Sequence, residues 1–340
     1  MIVDNFPDNL DLFKTRFGDV LDKMLLADEL GAFILVLANS MQDEALQQRL
    51  QLLLEEKFAL LKAQFEQGKL QAAKDDYEVF AALVSLGIDN LPVWEYRQQT
   101  PWTLLYNPMR ALRPARTSAE IIDTLRRPFN PDVFHFNKPF LEPEIFWQGC
   151  FNEYELRVFY NKFPFAPYHL LIVPEFRQCL PQFLTEIYHQ LIWDFVEQYS
   201  GGLTGLGVAY NSLGAYASIN QLHFQGFISS KNIPIEDESW QHNGGDKVYP
   251  IDCYRLDNSA DAWLAVQVCH QKKQAYNLLY RAGYCFLVTR KFQGKESSSH
   301  WQEGIAWCEV CGLQTVGSRK LFEKLSQQDI TDTLLSVHVD

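Results

Sequence analysis

Between residues 40 and 68 the apolar positions recur in steps of three and four. Leu46, Leu50, Leu53, Leu54, Phe58, Leu61 and Phe65 fall on one face of a helix. Ser40 is the expected cap, with Asp43 three residues on, and Gly68 the expected end. A second helical stretch, DDYEVFAALVSLG, stops at Gly87. Residues 8–95 thus read as an all-helical segment that packs on the rest of the chain or on a partner. Near Pro101 the pattern changes: NPMRALRPAR and RRPFNPD read as extended or looping chain. From about residue 144, runs rich in β-branched and aromatic residues predict strands: EIFWQGCF, ELRVFYNKFP and YHLLIVPE, broken at Asn161, Pro164 and Pro167. An amphipathic helix ending at Gly201 follows, then strands over GLGVAYNSLG and ASINQLHFQGFISS. SKNIPIEDESWQHNGGDK is polar and reads as an exposed linker. Beyond it the texture repeats: strand VYPIDCYRL, helix ADAWLAVQVCHQKKQ, a hairpin turning at Ala282-Gly283, and a closing helix over SQQDITDTLLSVHV. The pattern predicts an α+β protein with two similar lobes, preceded by the helical segment. The expected boundaries are 1–98, 99–240 and 241–340.

Composition narrows the classes. The net charge of −12 argues against a general affinity for nucleic acid or an anionic membrane, both of which need a basic surface. The apolar run AFILVLA is too short to span a bilayer. The start, MIVDNFPDNLDLF, lacks the basic-then-apolar order of a signal peptide. Seven scattered cysteines, an odd count, fit reduced thiols. A cytoplasmic location is the expectation. Against this acidic background Arg110, Arg113, Arg116, Arg126 and Arg127 are concentrated in one stretch. They form a solvated basic loop or an arm that collects phosphate, since a guanidinium offers a fork of donors to phosphate oxygens.

The sharpest chemical candidate lies in YNSLGAYASINQLHFQGF. A lone strand histidine is more often structural than catalytic. In a strand, however, Gln221, His223 and Gln225 project to one face. Three adjacent polar side chains on a buried face are costly unless they are used. Upstream, Asn211, Gly214 and Ser218 fall in a turn whose glycine allows backbone N–H groups to approach an anion. An imidazole beside a phosphate cradle is a nucleophile for phosphorus.

This stretch resembles the signature of the histidine-triad superfamily in its transferase form, H-x-H-x-Q. NKFPFAPYHLLIVP is similar to the hairpin that precedes that signature. YNSLGAYASINQLHFQ is particularly similar to the GDP-hexose phosphorylase branch, as are NPMRALRPAR, PFNPDVFHFNK, VYPIDCYRL, AYNLLYRAGYCFLVTRK and AWCEVCG, in the same order. The resemblance covers roughly residues 102–337 and implies the superfamily's fold, an antiparallel sheet with flanking helices. It implies that His223 attacks the α-phosphorus and forms a nucleotidyl-histidine, and that Gln225 bonds the phosphoryl oxygens. Ser218 and the backbone after Asn211 and Gly214 would hold phosphate, and His169 would approach the site. Gln221 departs from the histidine of the first triad position. The loss of a supporting contact is expected there, with a backbone carbonyl left to fix the tautomer of His223. Asn161, Lys162, Arg110 and Arg113 complete the expected phosphate-binding set, with Arg290 and Lys291 as further candidate donors.

The implied reaction cleaves a nucleoside diphosphate hexose, GDP-hexose by preference, with inorganic phosphate. It needs no cofactor or metal, and its partners are the two substrates. A homo-oligomer or a partner could use the amino-terminal helices. The alternatives are a phosphorylase or adenylyltransferase acting on dinucleoside polyphosphates, and a nucleotide-binding module without catalysis. Cys308 and Cys311 have metal-pair spacing but no second pair, so a buried thiol pair in a strand is expected. GLTGLG at 202–207 reads as a turn, and Glu309 matches an acidic position of the family with no assigned role.

Overall fold

The computed structural model describes residues 5–27, 29–112, 121–295, 301 and 304–339. Helices α1 (Leu10–Leu25), α2 (Leu30–Ser40), α3 (Glu44–Glu66) and α4 (Lys74–Leu86) form the amino-terminal part. α2 contains the AFILVLA run and is buried nearly all round, as a helix with no polar face must be. Ser40 is not the cap of α3. It closes α2, where its hydroxyl donates to the Leu37 carbonyl at 2.9 Å. Asp43 caps α3 instead, accepting from the Leu46 N–H at 3.0 Å. A carboxylate there also meets the positive end of the helix dipole, which a hydroxyl does not. Leu46, Leu50, Leu54 and Leu61 are buried as the spacing predicts, while Leu53 turns outward.

The helices pack on the rest of the chain. Phe13 and Phe17 meet Phe146 and Tyr168, and the Tyr160 hydroxyl donates to the Phe17 carbonyl at 2.7 Å. Asn39 Nδ2 donates to the Asn161 carbonyl at 2.9 Å, and Lys162 pairs with Asp76 at 2.6 Å. The first contacts tie the helices to Phe146, Tyr160 and Tyr168, and the last two tie them to the turn at 161–162.

After the helices come β1 (Glu95–Gln99), β2 (Trp102–Tyr106) and a short helix α5 (Pro108–Ala111). α5 replaces the extended chain expected for NPMRA. Asn107 accepts from the Met109 N–H at 3.0 Å, and Pro108 takes the first helical position, where its missing N–H costs nothing. Then follow β3 (Ile145–Phe151), β4 (Tyr154–Tyr160), β5 (Leu170–Pro174), α6 (Glu186–Ser200), β6 (Leu206–Asn211), β7 (Phe224–Ile228), β8 (Cys253–Leu256), α7 (Ser259–Lys272), β9 (Ala275–Arg281) and β10 (Tyr284–Arg290). The chain closes with α8 (Trp307–Val310), β11 (Leu313–Val316), α9 (Arg319–Lys324) and α10 (Gln327–Ser336).

β3 to β10 form one antiparallel sheet in the order β3-β4-β5-β7-β6-β9-β10-β8, and a smaller sheet runs β1-β2-β11. The fold is α+β with an antiparallel sheet and flanking helices. The join between its halves is β6 on β9, pairing Val208 with Tyr280 and Asn211 with Asn277. That register sets residues from the carboxy-terminal third beside the turn that carries His223. The β9–β10 hairpin turns at Ala282-Gly283, with Gly283 at φ +82°.

Residues 230–247 are not an exposed linker. Ile233, Ile235 and Trp240 are buried, and Glu236 receives Arg281 in a nearly buried two-point pair at 2.9 and 3.0 Å. The polar residues of this stretch hid its few apolar anchors. Cys308 and Cys311 are both buried, but Cys308 is in the short helix α8 and Cys311 just beyond it, not in a strand. The preceding Ala306 N–H is taken by the Glu309 carboxylate, which favours a helical turn at that point. No helix of the described residues is long and apolar enough to cross a membrane.

Candidate active site

β7 begins only at Phe224, so His223 and Gln221 precede the strand instead of lying in it. The chain from Ser212 to His223 is a compact turn. Gly214 has φ +89°, and a Cβ there would come within 2.3 Å of the Phe292 ring, so only glycine fits. Gln182, fully buried, clamps both ends of the turn. Its Nε2 donates to the Asn211 and His223 carbonyls at 2.9 and 3.2 Å, and its Oε1 accepts the His223 N–H at 2.9 Å. The Leu222 N–H goes to the Leu180 carbonyl. These backbone groups therefore find partners in the 180–182 loop, and a strand ladder is not available to them.

His223 is only 3% exposed, with Nδ1 2.8 Å from the carbonyl oxygen of Gln221. A carbonyl only accepts, so Nδ1 carries the proton and Nε2 keeps its lone pair. Burial pushes the imidazole down to about 4. The Gln221 side chain points elsewhere: its Oε1 accepts the Phe136 N–H at 2.8 Å, and its Nε2 donates to the Phe176 carbonyl at 3.2 Å. The glutamine at this position thus holds the 134–137 loop, and its own backbone fixes the tautomer of His223.

His169 is fully buried behind Gln225. The Phe165 N–H approaches its Nδ1 at 3.4 Å, and its Nε2 lies 3.1 Å from Gln225 Oε1, so Nε2–H is the donor. Burial pushes this ring down to about 3. Gln225 Oε1 also receives the Trp307 indole N–H at 2.7 Å. With two donors on the oxygen, the amide nitrogen is left to the cavity that Gln225 lines. Asn211 repeats the device. Its Oδ1 accepts from Asn277 Nδ2 at 2.6 Å and from the Trp307 backbone N–H at 3.0 Å. Its Nδ2 is buried with no partner among the described residues. An unpaired buried donor costs about 1–3 kcal/mol, a cost that a bound acceptor removes.

These groups share a cavity of about 430 Å³, a size that suits a nucleotide-sized ligand. His223, Gln225, Asn211, Ser218, Arg110, Asn161 and Lys162 all line it. Arg110 lies over the Phe165 ring at 4.9 Å. One wall is aromatic, with Phe134, Phe136, Phe140 and Phe159, and Phe136 packs on the His223 ring at 5.2 Å. Another wall comes from the start of α4 with Asp75 and Asp76, beside Glu144, whose carboxyl burial pushes up to about 7. Glu309 is buried in the lining. Burial raises its carboxyl, and Arg110 and the Ala306 N–H pull the other way.

Several sequence candidates lie outside this set. Gln221, Gly214 and His169 shape or support the cavity without lining it. Arg290 donates to the Ile305 and Lys291 carbonyls, and Arg290 and Lys291 are not among the described lining residues. Arg126 lies over the Phe183 ring. Arg113 and Arg116 fall outside the described residues. Sequence reasoning missed Gln182, Trp307 and the aromatic wall. The wall was legible as the phenylalanines of PFNPDVFHFNKPF, but Gln182 and Trp307 act through contacts that no local pattern reveals.

The neutral histidines carry a pH signature. A histidine whose folded pKa lies below its free value adds stability above the free value, and that stability is lost as the pH falls through the folded value. For His223 the window runs from 6.5 down to about 4. We expect its ring resonances to keep the neutral Nδ1–H pattern down to about pH 5. A titration midpoint near the free value would contradict a desolvated site.

Comparison with known proteins places part of the chain beside characterised enzymes. Residues 101–227 match the family model described as GDPGP1-like, N-terminal domain. GDP-D-glucose phosphorylase 1 of Danio rerio is 33% identical over 121 residues, 36% of this chain and 35% of the relative. GDP-D-glucose phosphorylase 1 of Bos taurus is 29% identical over 167 residues, 45% and 42% of the two chains. GDP-L-galactose phosphorylase 2 of Arabidopsis thaliana is 28% identical over 136 residues, 35% and 31%. The matched segment thus spans about a third to two fifths of these relatives. Among solved structures, yeast Ap4A phosphorylase Apa2 superposes with a TM-score of 0.51 at 18% identity, over 79% of this chain and 95% of that one. That likeness concerns the fold alone. The resemblance to GDP-hexose phosphorylases stands over residues 101–227.

Proposed function

We propose that the chain is a nucleotidyltransferase that cleaves a nucleoside diphosphate hexose, GDP-hexose by preference, with inorganic phosphate. The observation that carries the reading is the 2.8 Å contact between His223 Nδ1 and the Gln221 carbonyl, which leaves a neutral Nε2 lone pair in a cavity lined by amide donors and Arg110. In the first step His223 Nε2 bonds to the α-phosphorus, the bond from that phosphorus to the bridging oxygen breaks, and hexose 1-phosphate leaves. In the second, a phosphate oxygen attacks the same phosphorus, the P–N bond breaks, and the nucleoside diphosphate departs. The chain's task is positioning and charge neutralisation. Gln225 and Asn211 would direct amide hydrogens at the phosphoryl oxygens, Arg110 would balance charge, and the aromatic wall would take the base.

A donor panel tests this. The purified chain is incubated with GDP-hexose, UDP-hexose and diadenosine tetraphosphate, each with and without phosphate. GDP and hexose 1-phosphate appearing only when phosphate is present are the expected products. Release of ADP and ATP from diadenosine tetraphosphate in the presence of phosphate, with neither hexose donor turned over, would favour the dinucleoside polyphosphate reading. Tight binding of every donor without turnover would favour a non-catalytic module.

A further inference from the structure

Trp307 lies in the short α8, beyond the segment that the family model matches, and is fully buried. Its ring is held by stacking on Phe227, with centroids 4.9 Å apart and planes at 16°, and by Phe165 at 5.9 Å. Two of its N–H groups reach two different carboxamides. The indole N–H meets Gln225 Oε1 at 2.7 Å, and the backbone N–H meets Asn211 Oδ1 at 3.0 Å. A carboxamide has nearly the same shape with its oxygen and nitrogen exchanged, and only its hydrogen bonds decide which end points where. An indole N–H donates and never accepts, so it tolerates the oxygen of Gln225 and rejects the nitrogen.

We propose that Trp307 is the positioning residue that sets the polarity of the phosphate cradle. It holds both carboxamides oxygen-inward, so that Asn211 and Gln225 present N–H groups and not carbonyl oxygens to an anionic ligand. The proposal rests on the phosphoryl-transfer reading of the cavity and assigns the carboxy-terminal third a part in that site. The buried Asn211 Nδ2, left without a partner among the described residues, is the free donor this arrangement implies. Asn277 and His169 each give a second donor to one of the same oxygens, so loss of the indole N–H weakens the orientation of Gln225 without erasing it.

The test is a double-mutant cycle with Trp307→Phe, which keeps an aromatic ring and deletes the indole donor, in wild-type and Gln225→Ala backgrounds. Should the phenylalanine variant fold poorly, 3-benzothienylalanine at position 307 replaces it, since sulfur there takes the place of the N–H in an otherwise tryptophan-like ring. Removing the donor is expected to lower kcat/KM for GDP-hexose about tenfold, chiefly through kcat, with the unfolding midpoint nearly unmoved in the isosteric benzothienyl protein and lowered by the void in the phenylalanine one. In the Gln225→Ala background the same change is expected to do almost nothing. An equal loss in both backgrounds, or full activity in the donor-deleted protein, overturns the proposal. Inactivity of the wild type on every donor would sink the phosphorolysis reading alone. The same cycle read as dissociation constants for GDP then decides the role of Trp307.

Discussion

Replacing His223 by alanine is expected to lower turnover on the order of 10⁴-fold or more while the protein still folds, since loss of a nucleophile removes the covalent route altogether. Substrate affinity should change little, because the cavity's aromatic wall, Arg110 and the two amides remain. Steady-state kinetics with circular dichroism check both halves. The effect is large because no other described side chain is placed to substitute. His169, the nearest alternative, is fully buried behind Gln225 and uses Nε2–H as a donor. A neutral ring also suits the chemistry: a protonated imidazole has no lone pair to offer, and burial keeps this one unprotonated at neutral pH.

Gln225→Ala is expected to cost about 10²–10³-fold in kcat, the usual loss for removing one donor to a developing oxyanion. It also strands the His169 Nε2–H and the Trp307 indole N–H, both now paired with the same oxygen, so a stability loss of about 1–3 kcal/mol per stranded donor accompanies it. Gln225→Glu separates the two effects. One carboxylate oxygen still satisfies both buried donors, while the other faces the phosphate with negative charge. We expect the glutamate variant to be the more stable of the two and at least as inactive. Chemical denaturation beside kinetics measures this. A glutamate variant with near-wild activity would show that the amide hydrogens of Gln225 do not touch the reacting phosphate.

The parts of the fold written in local chemistry were legible in the sequence. Runs rich in β-branched and aromatic residues placed β3 to β6, and Ala282-Gly283 placed the β9–β10 turn. The histidine-glutamine pair at 223 and 225 marked the cavity. The late start of β7 at Phe224 was not legible, because residues 217–223 have strand-like composition. Their N–H groups are taken instead by a loop some forty residues earlier, through Gln182 and Leu180. Ser40 and Asp43 are both good caps, and only the length of α2 decides between them. Trp307 lies more than eighty positions from Gln225, and the β6–β9 register that brings the two halves together has no signature within either strand. The amino-terminal helices offered no chemistry in sequence, yet Asp76 reaches Lys162 at the rim of the cavity.

The most direct measurement uses GDP-hexose labelled at the α-phosphorus, incubated with the protein in the absence of inorganic phosphate. Label should become attached to the peptide containing His223, be lost in acid and survive base, and be released as GDP when phosphate is added. Sustained phosphorolysis with no label trapped on the chain, or the same label on the His223→Ala protein, would contradict a nucleotidyl-histidine at this position.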